Sequence, residues 1–70
     1  MNAQFNFQIN PEGNRKDWEE VPVITLFLSD RHSAVRLAKQ AAKDFIAEVR
    51  LTEGINPLMK SGAYFRYDEQ

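Results

Sequence analysis

Residues 33–50, Ser-Ala-Val-Arg-Leu-Ala-Lys-Gln-Ala-Ala-Lys-Asp-Phe-Ile-Ala-Glu-Val-Arg, decide the fold. Ala34, Val35, Ala38, Ala41, Ala42, Phe45, Ile46 and Val49 recur at three- and four-residue spacing, and at about 100° per residue they line one stripe of a helix. Ser29 or Asp30 can cap its start, because a short side-chain oxygen accepts from the free amides of the first turn, although Glu or Gln is missing three residues on. The spacing predicts a helix over about 30–50. Its end has a competing reading. Glu48-Val49-Arg50-Leu51-Thr52 alternates as a strand does, yet Phe45-Ile46-Ala47 supplies no turn residue to separate strand from helix. The helix to about Arg50 is therefore favoured, and an extra strand at 48–52, giving a four-stranded variant, is the alternative.

Upstream, Phe5, Phe7 and Ile9 alternate with Gln4, Asn6, Gln8 and Asn10, the period of a strand with one buried and one wet face. Pro11-Glu12-Gly13-Asn14 has turn chemistry, and the polar stretch continues it as a loop over 11–20. Residues 21–28, Val-Pro-Val-Ile-Thr-Leu-Phe-Leu, are apolar on both faces. That predicts an interior strand covered on two sides, with Pro22 at its start where no ladder donor is needed. Whether the first two strands form a hairpin or flank a later strand is left open by the sequence.

Downstream, Gly54-Ile55-Asn56-Pro57 and Ser61-Gly62 punctuate a loop over 52–61, with Leu58 and Met59 expected against the core. Ala63 to Tyr67 reads as a last strand, with Ala63, Phe65 and Tyr67 on one face and Tyr64 and Arg66 on the other. Residues 68–70 form an acidic end expected to fray. The expected architecture is a single α+β domain over 1–70 of ββαβ order, one helix packed on a small, mostly antiparallel sheet of strands near 4–10, 21–28 and 63–67.

The 70 residues hold nine basic and ten acidic side chains, a net charge of −1, a hydrophobic fraction of 43% and no cysteine. A chain this short hides only ~60% of the surface its unfolded form exposes, so a homodimer is an economical way to bury more. Without cysteine there is no disulfide scaffold, thiolate zinc site, iron–sulfur cluster or cysteine nucleophile. Met1 to Asn6 lacks the basic and apolar regions of a secretory signal, and no apolar run approaches the ~20 residues of a bilayer span, so the expected setting is cytoplasmic and away from membrane.

Three surfaces stand out. Trp18, within the acidic segment Asp17, Glu19 and Glu20, is a candidate protein contact, and so are Tyr64, Arg66 and Tyr67 on the last strand. Against this, Trp18 can simply fold back to cap the core, and the acids can be merely solvated. The second surface is a basic stripe of His32, Arg36, Lys39, Lys43 and Arg50, which on a helix reaching Arg50 falls within about 60°. It would suit a nucleic-acid backbone, but every helix also needs a solvated face, and the chain lacks a basic excess. The third is the polar sheet face of Gln4, Asn6 and Gln8, which would lie beside Tyr64 and Arg66 if the first and last strands pair, an arrangement on which single-stranded nucleic acid can stack.

Catalysis has the least support. His32, the only histidine, would have to act with Tyr64 or Arg66, and no nucleophile, metal-ligand set or phosphate-binding glycine pattern accompanies it. The expectation is a small regulatory or protein-interaction module that acts by binding, without catalysis, cofactor or metal, and nucleic-acid binding through the helix stripe is the alternative.

Overall fold

The computed structural model describes residues 2–13, 17–54 and 62–68. The expected Leu58 and Met59 contacts, most of the 52–61 loop and the last two residues of the acidic end lie outside them. The chain runs β1 (Ala3–Asn10), β2 (Ile24–Leu28), α1 (Arg31–Phe45), β3 (Glu48–Glu53) and β4 (Ala63–Arg66), with a short 3-10 turn at Trp18–Glu20 before β2. It is an α+β fold: one helix on a four-stranded antiparallel sheet of order β2-β1-β3-β4.

β1 and β2 pair antiparallel from Ala3↔Leu28 to Phe7↔Ile24, and the helix then carries the chain across β1 to β3. The strand alternative at 48–52 is therefore the one adopted, as Glu48–Glu53, and the helix expected to reach Arg50 stops at Phe45. The stop is a Schellman-type turn. Ile46 takes a left-handed conformation (φ 48°, ψ 60°), and the amides of Ile46 and Ala47 donate to the carbonyls of Lys43 (3.4 Å) and Ala42 (3.0 Å). A β-branched residue is costly there, so the turn is imposed by the sheet, which needs Val49 and Leu51 beside β1, and not by local preference. Ile46→Gly is accordingly expected to raise unfolding stability by about 1 kcal/mol, read as a higher urea midpoint. An unchanged or lower midpoint would show that the position carries no strain.

Asp30 is the N-cap. Its Oδ1 accepts from the Ser33 amide at 2.7 Å, and that amide holds the carboxyl below its usual range. The helix presents Ala34, Ala38 and Ala42, all fully buried, to Phe5, Phe7, Val49 and Leu51, with Val35, Ala41, Ala63 and Phe65 packed around them. Three alanines one turn apart let the helix lie close to the sheet, while the aromatic rings of β1 supply the volume. Phe45 and Ile46, expected on the buried stripe, are instead largely exposed beyond the sheet's cover.

Two further burial expectations are overturned. Residues 21–28 do not form an interior strand: only Ile24–Leu28 pair, at one edge of the sheet, and Ile24, Leu26 and Phe27 are exposed. The cause is the helix position, over β3, β4 and β1 more than over β2. The face of Asn6, Gln8 and Asn10, expected to be wet, is buried, and so are Arg50 and Thr52 beside it.

Candidate functional site

The buried polar face carries the molecule's most elaborate construction. Asn6 accepts at Oδ1 from Thr25 Oγ1 (2.9 Å) and Gln4 Nε2 (3.3 Å) and donates through Nδ2 to the Gly54 carbonyl (2.8 Å), tying β2 and the end of β3 to β1. Asn10 closes the turn after β1, accepting from the Glu12 amide (3.1 Å) and donating to the Gly13 carbonyl (2.8 Å). Gln8 reaches across to the segment before β2, where its Nε2 donates to the carbonyls of Trp18 (2.7 Å) and Val21 (3.1 Å). Buried amides cost free energy where they are left unpaired: Asn6 and Asn10 are bonded through both side-chain atoms, whereas Gln8 uses its Nε2 to fix the backbone before β2 and has a buried Oε1 without a hydrogen-bond partner among the described residues.

The register extends that fixation into a row. Gln8 lies opposite Arg50, and Arg50 opposite Tyr64, so three strands present Gln, Arg and Tyr side by side on one face. Trp18 spans the row: its carbonyl is held by Gln8, and its ring lies 5.7 Å from the Tyr64 ring at 57° between planes. The Arg50 guanidinium sits 5.9 Å from the Tyr64 centroid, a cation–π distance. Arg50 is buried, whereas Tyr64 is half exposed and Trp18 partly so. Asp17, Glu19 and Glu20, which flank Trp18 in the chain, are exposed.

Trp18 and Tyr64, one from each set of protein-contact candidates and separated by more than forty positions in sequence, are thus brought together. Arg66 shares the Tyr64 face of β4 by alternation, and Tyr67 follows it beyond the strand. Arg66 pairs with Asp68 at 3.4 Å, and both it and Tyr67 border an open groove of about 450 Å³ with Glu12, Ile46 and Glu48. Trp18, for which folding back as a core cap was the other expectation, does not join the hydrophobic core cluster: its carbonyl accepts from Gln8, its ring contacts Tyr64, and the residue stays partly exposed.

Other groupings do not form as expected. β3 separates β1 from β4, so the first and last strands do not pair, and Asn6 and Gln8 offer no open platform for bases. Of the basic stripe, His32, Arg36, Lys39 and Lys43 are exposed on the helix, but Arg50 belongs to β3 and is buried beneath Tyr64. His32 lies on the helix side of the sheet, while Tyr64 alternates with Ala63 and Phe65, which pack toward the helix, so the proposed His32, Tyr64 and Arg66 grouping is not assembled. Among the described residues no cluster of three or more metal-ligating side chains occurs. No helix among them is long and apolar enough to cross a membrane.

The sequence reading missed Gln8 and Arg50 as the supports of the aromatic pair. Their signal was the alternation in 48–52, which becomes informative only once that segment is placed between β1 and β4. No family model, no curated protein and no solved structure matches the chain.

Proposed function

We propose that this chain is a protein-interaction module, a regulator or accessory subunit that acts by occupancy through the Trp18–Tyr64 surface. The observation that carries the reading is the convergence of the two aromatic rings above a buried amide and guanidinium layer. Rigid, partly exposed aromatics lose little entropy on binding, which is why Trp and Tyr dominate interface hot spots. The exposed carboxylates of Asp17, Glu19 and Glu20, which flank Trp18 in the chain, favour a partner whose contact segment combines apolar side chains with a basic rim. The cytoplasmic setting expected from the cysteine-free sequence belongs to the same proposal.

The test uses the immobilised chain as bait in a lysate of the organism that encodes it. A protein retained by the wild type should bind at least tenfold more weakly to Trp18→Ala and to Tyr64→Ala, as hot-spot truncations do. The same protein should bind Lys39→Glu, on the opposite side of the molecule, unchanged. Equal retention by the two aromatic variants would sink the reading. Nucleic-acid binding is the alternative, supported by the common exposure of His32, Arg36, Lys39 and Lys43. Steeply salt-dependent binding to RNA or DNA, abolished by Arg36→Glu with Lys43→Glu, would favour it instead.

A further inference from the structure

We draw no further inference here: the strongest candidate, the apolar edge strand β2 with Ile24, Leu26 and Phe27 exposed along it, carries none because nothing in the structure shows what covers it.

Discussion

Phe5→Ala should leave the domain largely unfolded at 25 °C. Among the described residues Phe5 is the largest fully buried side chain, a member of the cluster that joins the alanine face of the helix to β1 and β3. Its neighbours include Ala34, Ala38 and Ala42, which have no longer side chain to swing into the void. The cost is therefore that of an unrelaxed cavity, about 3–5 kcal/mol. A domain of this size has roughly 3–5 kcal/mol in total, so a single truncation removes nearly all of it. Circular dichroism and urea titration check this directly. A cooperative transition displaced by less than about 1 kcal/mol would mean that the alanine face does not form the seam described.

Gln8→Leu is the second large effect, and it links stability to the proposed site. Leucine has similar volume and suits a strand, so the change removes hydrogen bonds with little change in packing. The Trp18 and Val21 carbonyls lose the donor that joins them to β1, which costs about 2 kcal/mol because Val21 is buried where water cannot replace it. The segment before β2 then loses its fixed position, and the Trp18 ring should leave Tyr64. The expected signature is red-shifted tryptophan emission in a chain that still melts cooperatively, together with weakened partner binding. Unchanged emission would show that Trp18 is held by something other than Gln8.

Much of the fold was legible because its patterns are local. The period-2 alternation of β1, the apolar stripe through Ala42 and the Asp30 cap each follow from side-chain spacing alone. The helix end was not, because Ile46 adopts a conformation that its own chemistry disfavours and only the demand for β3 in the sheet enforces. The same missing strand obscured the site. Trp18 and Tyr64 were each recognisable as contact residues from type and context, but their meeting depends on β3 lying between β1 and β4. With Arg50 assigned to a helix, the row of Gln8, Arg50 and Tyr64 could not be drawn. The exposure of β2 was hidden for a different reason: apolar residues on both faces describe what a strand is built to contact, not whether this chain alone supplies the contact.

The convergence of two distant segments on one aromatic surface is the core of the account, and proton NMR tests it most directly. Nuclear Overhauser contacts between the Trp18 indole and the Tyr64 ring, with the Gln8 side-chain amide protected from exchange, are the predicted result. Trp18 ring signals at random-coil positions, with no contact to Tyr64, would contradict it.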